Sequence, residues 1–130
     1  MKNREIKFKS KNYNYSIVIG KNLLNIKPKK IKLLCPKARK IALIIDKNVP
    51  IKFKTRLKRM LKNYNLLFIP FIASEKNKSF NRVSNFLDIL LSYKFNRTDL
   101  VISVGGGITG DVTGFIASIF KRGINFITIP

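Results

Sequence analysis

The first 20 residues alternate between polar and apolar side chains, with the period of two that is typical of β-strands. Glu5 to Phe8 and Tyr13 to Ile19 are predicted to be two strands that flank a polar turn, Lys9 to Asn12. The second strand alternates as a half-buried hairpin strand does, and Gly20 ends it. The pattern therefore predicts a β-hairpin at the start of the chain.

The segment after the hairpin gives weaker signals. Asn22 to Ile26 is compatible with a short helix, and Lys27 to Lys30 predicts a loop around Pro28. Ile31 to Leu34 is too short to assign. This segment contributes little to the predicted architecture.

From residue 40 onward, continuous apolar runs alternate with segments of helical spacing. The apolar runs are typical of strands that are buried on both faces of a parallel sheet, and they are Lys40 to Ile45, Leu66 to Ile72, Leu100 to Val104 and Phe126 to Ile129. The segments between them have an apolar stripe with helical spacing, and they are Ile51 to Asn63, Phe80 to Tyr93 and Asp111 to Lys121. This alternation predicts one α/β domain over residues 1–130, with a Rossmann-like parallel sheet and flanking helices. Ligands of such sheets bind at the carboxyl ends of the strands.

Composition excludes several classes of protein. The chain has 130 residues and is 45% hydrophobic, which is enough for one core and argues against disorder. No apolar run approaches the ~20 residues of a transmembrane helix, so we expect no membrane partner. Cys35 is the only cysteine, which excludes an internal disulfide, and the absence of histidine removes the commonest general base and catalytic zinc ligand.

The formal net charge of +21 raises the possibility of nucleic-acid binding. The lysines are spread over nearly every segment before residue 80, together with abundant Asn, Ile and Phe. These are the residues that A+T-rich codons supply, so drift in genome composition explains the charge more simply than selection for a nucleic-acid partner. A basic nucleic-acid-binding domain is kept as an alternative.

A glycine-rich turn follows the predicted strand Leu100 to Val104. Gly105, Gly107 and Gly110 have the G-x-G-x-x-G spacing, and a helical segment comes next. Glycines in this position allow backbone N–H groups to approach a pyrophosphate, and the start of a helix adds a partial positive charge. The spacing alone is a weak signal, but the strand-to-helix setting favours phosphate binding over a purely structural turn.

Two further polar loops follow predicted strands, and parallel strands would bring them to the same edge of the sheet. They begin at Asp46 and at Glu75, and each alone is more typical of a turn acid or a solvated loop. In ordinary dinucleotide folds the acid that binds ribose lies about 20 residues after the glycines. Asp46 lies far before them, so the chain has either a different dinucleotide fold or no such site.

The segment from Gly105 to Pro130 is more specific than its glycines. It fits the pattern GGG-x-x-GD-x-x-GF-x-A-x-x-x-x-RG-I-x-F-x-x-IP at every fixed position. This pattern resembles the signature of the 3-dehydroquinate synthases, which belong to the sugar-phosphate cyclases. Upstream, Asp46-Lys-Asn48 is similar to the family's D-x-N, and Glu75 to Lys78 is similar to its E-x-x-K loop, with Ser74 where glycine is usual.

The resemblance implies an NAD-dependent enzyme of the shikimate pathway, a lyase that converts 3-deoxy-arabino-heptulosonate 7-phosphate into 3-dehydroquinate with phosphate release. NAD would transiently oxidise one hydroxyl of this phosphorylated keto-sugar acid. The residues that the resemblance assigns to the cofactor are Asp46, Asn48, Glu75, Lys78, Gly106, Gly107, Ile108 and Asp111. Arg122 would bind the substrate, and it is expected to reach the site of a neighbouring subunit.

The resemblance also implies groups that this chain lacks. In the family a helical domain supplies a glutamate and two histidines that hold zinc or cobalt, and it lies beyond the position of Pro130. We therefore expect an incomplete amino-terminal part without a metal site of its own, inactive alone, that acts in the cytoplasm as a homodimer or together with a missing carboxy-terminal half. Another sugar-phosphate cyclase is an alternative with the same glycine signature.

Overall fold

The chain forms an antiparallel two-stranded sheet and a parallel four-stranded sheet. The structure is a computed structural model, and it describes residues 2–24 and 28–130. The strands are β1 (Arg4–Lys9), β2 (Asn14–Ile19), β3 (Lys40–Asp46), β4 (Asn65–Phe71), β5 (Leu100–Val104) and β6 (Asn125–Ile129). The helices are α1 (Pro28–Leu34), α2 (Ile51–Met60), α3 (Phe80–Ser92) and α4 (Gly107–Ile119). Strands β1 and β2 form an antiparallel hairpin, and the other four form a parallel sheet in the order β4-β3-β5-β6, which confirms the predicted fold class.

The parallel sheet is covered by helices on both faces. Strands β3 and β5 lie at its centre, and their β-branched and leucine side chains are buried on both sides, as their unbroken apolar runs predict. Helices α1 and α2 cover one face through Ile31, Leu57 and Leu61. Helices α3 and α4 cover the other face through apolar stripes that include Phe86 and Ile116. Within the described ranges, no helix has the length and apolar character that a membrane crossing requires.

The register of the sheet brings the ends of its strands to one edge. Asp46 at the end of β3 pairs with Phe71 at the end of β4. Ile45 pairs with Val104 at the end of β5, and Val104 pairs with Ile129 of β6. The loops that follow β3, β4 and β5 therefore leave the same edge, where the sequence predicts the site.

The hairpin differs from its prediction in burial. The alternation of β2 predicts a half-buried strand, but Tyr15, Ile17 and Ile19 are exposed, as are Ile6 and Phe8 opposite them. The alternation correctly reports an apolar face. It does not report whether another layer covers that face, and the described residues place none there.

Three local predictions also need correction. The loop predicted over Lys27 to Lys30 is wrong from Pro28 onward, because α1 begins there and the fixed φ of proline suits the first helical position. Residues 25–27, which include part of the helix predicted over Asn22 to Ile26, lie outside the described residues, and Asn22 has a non-helical φ of 56°. Helix α4 begins at Gly107 and not at Asp111, so the glycine turn is shorter than predicted.

Candidate nucleotide-binding site

Gly105 makes the turn from β5 into α4. Its φ of +148° is one that L-residues rarely adopt, and its N–H donates to the carbonyl of Ile129 at 3.0 Å. A Cβ at this position would lie 2.9 Å from Asp46 Cβ and 2.9 Å from Thr109 Oγ1. Gly105 is therefore required by the fold itself, because Asp46 and α4 approach the backbone on either side of it.

Gly106 and Gly107 have a different role, because nothing lies within 4 Å of a Cβ built on either residue. Both residues are exposed, and neither has a positive φ. Gly106 is the N-cap of α4 and provides no side-chain cap. The first N–H groups of a helix have no partner within the helix. The open space at these two glycines thus leads directly to backbone donors and to the positive end of the helix dipole, which together suit a phosphate.

Asp46 places a carboxylate beside this turn. Its Oδ1 accepts the N–H of Asn48 at 2.9 Å, which fixes a tight turn directly after β3. Asp46 is partly buried, whereas Asn48 is exposed. Among the described residues, Oδ2 of Asp46 has no hydrogen-bond partner, so it is available to accept from ligand hydroxyls.

The loop after β4 is held by its own polar side chains. Ser74 caps a short 3₁₀ turn, Glu75–Asn77, by accepting the N–H of Asn77 at 3.3 Å. The Asn77 side chain donates to the carbonyl of Ile72 at 2.8 Å and accepts from Arg82 Nε at 3.0 Å. These hydrogen bonds fix the backbone of the loop, and with it the positions from which the side chains of Glu75 and Lys78 extend.

Lys78 and Asp111 connect this loop to α4. Lys78 Nζ lies 3.0 Å from Asp111 Oδ2, although the two residues are 33 positions apart in the chain. The hydrogen bond to Asp111 and the charges of Asp111 and Glu75 raise the pKa of Lys78, while desolvation acts in the opposite direction. Both side chains are about half exposed, so the pair contributes little stability. Its effect is to hold a fixed cation and a carboxylate at the mouth of the site.

An open groove of about 350 Å³ lies next to this ion pair. Phe80 and Phe115 form one wall, with their ring centroids 6.1 Å apart and their planes at 72°. Phe80 is 81% exposed, so a large apolar surface adjoins the charged pair. Sequence reasoning missed Phe80 as a site residue, because only the fold brings the start of α3 against the middle of α4.

Arg122 lies away from the other predicted site residues. It follows the carboxyl end of α4, and a helix of 13 residues spans about 20 Å. Its φ of 66°, with 46° at Lys121 and 115° at Gly123, gives three consecutive residues of positive φ. Arg122 therefore lies at the other end of α4 from the glycine turn of its own chain, and its contribution to another subunit stays a prediction.

Thr109 has a buried hydroxyl with no hydrogen-bond partner in the described part of the chain. Thr109→Val keeps the shape of the side chain and removes this hydroxyl, so we expect it to stabilise the fold by about 1 kcal/mol, a rise of roughly 3–5 °C in Tm. Thermal unfolding measures the change. Thr113→Val is the matched control, because the Thr113 hydroxyl donates to the Thr109 carbonyl at 2.7 Å, and its loss should give no gain. Equal destabilisation by both variants would contradict the expectation.

The described residues contain no group of three or more His, Cys, Asp and Glu side chains that could hold a metal ion. What the site offers is backbone donors at a helix start, a free carboxylate oxygen and a fixed lysine. This combination can bind a phosphorylated ligand with hydroxyl groups.

Comparison with known proteins identifies relatives of this chain. The family described as "3-dehydroquinate synthase N-terminal" matches residues 68–130. The 3-dehydroquinate synthase of Pelagibacter ubique is 42% identical over 126 residues, which are 97% of this chain and 34% of that protein. The enzyme of the same name from Clostridium botulinum is 37% identical over 129 residues, which are 98% of this chain and 37% of that protein. The chain thus spans about one third of the length of the relatives it matches.

A solved structure shares the fold. The crystal structure of 2-deoxy-scyllo-inosose synthase complexed with carbaglucose-6-phosphate, NAD⁺ and Co²⁺ superposes with a TM-score of 0.81 at 22% identity, over 98% of this chain and 35% of that one. The likeness extends over the hairpin and the parallel sheet together.

Proposed function

We propose that this chain, which belongs to the 3-dehydroquinate synthase family, is the NAD-binding part of a 3-dehydroquinate synthase. The complete protein would convert 3-deoxy-arabino-heptulosonate 7-phosphate into 3-dehydroquinate with release of phosphate. One observation carries the proposal most strongly. The backbone at Gly106 and Gly107 is open to a ligand although the fold does not require glycine at either position, and a pyrophosphate explains why side chains are absent there.

The described side chains fit NAD around that opening. Gly106, Gly107 and Ile108 would receive the pyrophosphate on their backbone N–H groups. Asp46 would accept hydroxyls of the adenosine ribose through its free carboxylate oxygen, with Asn48 beside it. NAD, when bound, supplies transient acceptance of a hydride from the substrate.

The side chains on the other side of the turn would position the rest of the cofactor. Lys78 would neutralise diphosphate charge, and Glu75 lies in the same loop to accept from ribose. Asp111, held by Lys78 at 3.0 Å, would face the nicotinamide end. The adjoining open groove with Phe80 offers an apolar surface beside this end of the cofactor.

The chain does not fit the divalent metal that the family uses. It has no histidine, and its described acids and single cysteine form no group of three. We derive no step through zinc or cobalt from these residues. In this proposal the metal ligands come from sequence beyond the 130 residues, and Arg122 of one subunit contributes to the substrate site of another in a cytoplasmic homodimer.

Isothermal titration calorimetry with a large excess of NAD tests the proposal. We expect weak binding, with a Kd in the micromolar range or above, because the contacts that the rest of a full-length synthase supplies are missing. Asp46→Asn keeps an oxygen for the N–H of Asn48 and removes the charge, so it should weaken NAD binding by roughly tenfold or more. Submicromolar binding by the 130-residue chain, or binding that Asp46→Asn leaves unchanged, would contradict the assignment.

A further inference from the structure

The two helical faces of the parallel sheet differ in their number of basic residues. Helices α1 and α2 pack on the same face, through Ile31 and Leu57. These helices and the turns that follow them, residues 28–39 and 51–63, carry eleven basic residues and no acid: Lys29, Lys30, Lys32, Lys37, Arg39, Lys52, Lys54, Arg56, Lys58, Arg59 and Lys62. We call this set the α1/α2 basic face.

The opposite face has a different charge. Helices α3 and α4 and the turns that follow them, residues 80–95 and 107–123, carry four basic residues and two acids: Arg82, Lys94, Lys121, Arg122, Asp88 and Asp111. Drift in genome composition acts on codons without regard to position in the fold. It accounts for a high lysine content, but it does not account for eleven basic residues on one helical face of the sheet against four on the other.

The arrangement on α2 is also unfavourable for the free protein. Lys54 and Lys58 in the helix are four positions apart, as are Lys58 and, in the turn that follows the helix, Lys62, so like charges are neighbours there. Such pairs destabilise a helix by a few tenths of a kcal/mol each. No acid of α2 compensates for them, since the helix has none. An external anion would remove this repulsion.

We propose that the α1/α2 basic face binds the phosphate backbone of nucleic acid without reading its bases. Lys52, Lys58 and Lys62 are exposed along about 15 Å of α2 and the turn that follows it, a span that matches a run of phosphates on a duplex. The exposed side of α2 presents Thr55 and Asn63 beside its cations, and its only exposed large apolar residue, Ile51, lies at the end. Helix α2 therefore lacks the apolar stripe that insertion into a lipid surface requires. On α1, Leu33 and Leu34 are exposed, so binding to vesicles is measured beside binding to DNA.

This inference does not depend on the proposed enzymatic function. The basic face is formed by α1 and α2, whereas the candidate nucleotide site is formed by the loops after β3, β4 and β5 and by the start of α4. Binding of a polyanion on one surface and of NAD at the other can therefore be measured separately.

Fluorescence anisotropy with a labelled 20-base-pair DNA duplex, repeated over a series of salt concentrations, tests the proposal. The variant Lys52→Gln/Arg59→Gln/Lys62→Gln should bind at least tenfold more weakly than the unchanged chain. Its slope of log K against log salt should be shallower by about 0.9 for each residue that contacts a phosphate. A second variant on the same face, Lys29→Gln/Lys32→Gln/Lys37→Gln, should behave in the same way. It leaves Lys30 unchanged, because Lys30 Nζ lies 3.9 Å from Glu5 Oε1.

The matched control removes the same charge elsewhere. Lys76→Gln/Lys94→Gln/Arg97→Gln changes three exposed basic residues outside the basic face, and it should lose less than threefold. Equal losses in all three variants would overturn the proposal, because net charge alone would then explain binding. Binding of the α2 variant to DNA at full strength, together with loss of its binding to phosphatidylserine vesicles, would overturn it in favour of a lipid surface. Circular dichroism should show all variants folded, since the changes are confined to exposed side chains.

Discussion

Gly107→Val is expected to abolish NAD binding and to leave the fold intact. A Cβ at Gly107 meets nothing within 4 Å, and the residue has no positive φ, so the folded chain can accommodate the valine. The same side chain would occupy the approach to the N–H groups at the start of α4. Hydrogen bonds to charged groups contribute about 1.5–3 kcal/mol each, so the loss of two of them should weaken binding by more than about a hundredfold. Calorimetry measures the binding, and thermal unfolding measures the stability.

Gly105→Val is the matched control, and it should have the opposite effect. Gly105 has a φ of +148°, and a Cβ there would lie 2.9 Å from Asp46 Cβ. We therefore expect a much lower Tm or no folded protein. Gly105 is thus assigned a structural role, and Gly107 is assigned a role in binding the ligand. If Gly107→Val unfolds the chain as Gly105→Val does, its glycine is structural and the phosphate site loses its main support.

The sequence predicts the strands of the parallel sheet and the starts of α2 and α3, but it does not predict the starts of α1 and α4. The bounds of Leu100 to Val104 are confirmed residue for residue, because an unbroken β-branched run that ends at glycines is typical of a buried strand. The sequence places the start of α4 four residues too late, since Gly107 and Gly110 have low intrinsic helix propensity and only tertiary packing makes them helical. Pro28 is expected to lie in a loop, but it begins α1. Proline is found both where helices end and at their first position, so its presence alone does not decide between the two.

The candidate site, like the fold, is only partly predictable from the sequence. That the three polar loops meet at one edge follows from the parallel strands alone, which the sequence predicts, but only the pairing of β3 with β5 in the structure places Asp46 beside the glycine turn. The contact between Lys78 and Asp111 cannot be predicted in this way, because no local period links residues 33 positions apart. The same limit applies to charge. Eight lysines lie in α1, α2 and the turns after them, against two in α3, α4 and the turns after them, and this difference between the two faces is visible only once α1 and α2 pack on the same side of the sheet.

The 130-residue chain alone is expected to show no synthase activity, even with NAD and added zinc or cobalt. Metal-assisted hydroxyl oxidation needs about three protein ligands in fixed geometry. The chain has no histidine and one cysteine, and its described residues hold no group of three potential ligands. Release of phosphate from 3-deoxy-arabino-heptulosonate 7-phosphate should therefore stay at the rate without enzyme. Turnover by this chain would contradict the proposal that it is only the NAD-binding part of a synthase and would require a mechanism without the metal.

A chimera tests whether the chain is competent when the missing groups are supplied. Residues 1–130, joined to the downstream two thirds of the Pelagibacter ubique relative, should release phosphate, since that relative is 42% identical over the shared part. Arg122→Ala in the chimera should reduce turnover on the order of a hundredfold or more, because a guanidinium that positions a phosphate is lost. Arg59→Ala, an exposed arginine of the basic face, should leave turnover unchanged.

Mixing two inactive chimeras shows which subunit Arg122 serves. The Arg122→Ala chimera, combined with one inactivated by Gly107→Val, should recover part of the activity if Arg122 acts across the subunit boundary, because a mixed dimer then contains one site with Gly107 and Arg122 both intact. The geometry favours recovery, since about 20 Å of helix separates Arg122 from the glycine turn of its own chain. No recovery in the mixture would place Arg122 in the site of its own subunit and would require α4 and the turn after it to rearrange when the cofactor and substrate bind.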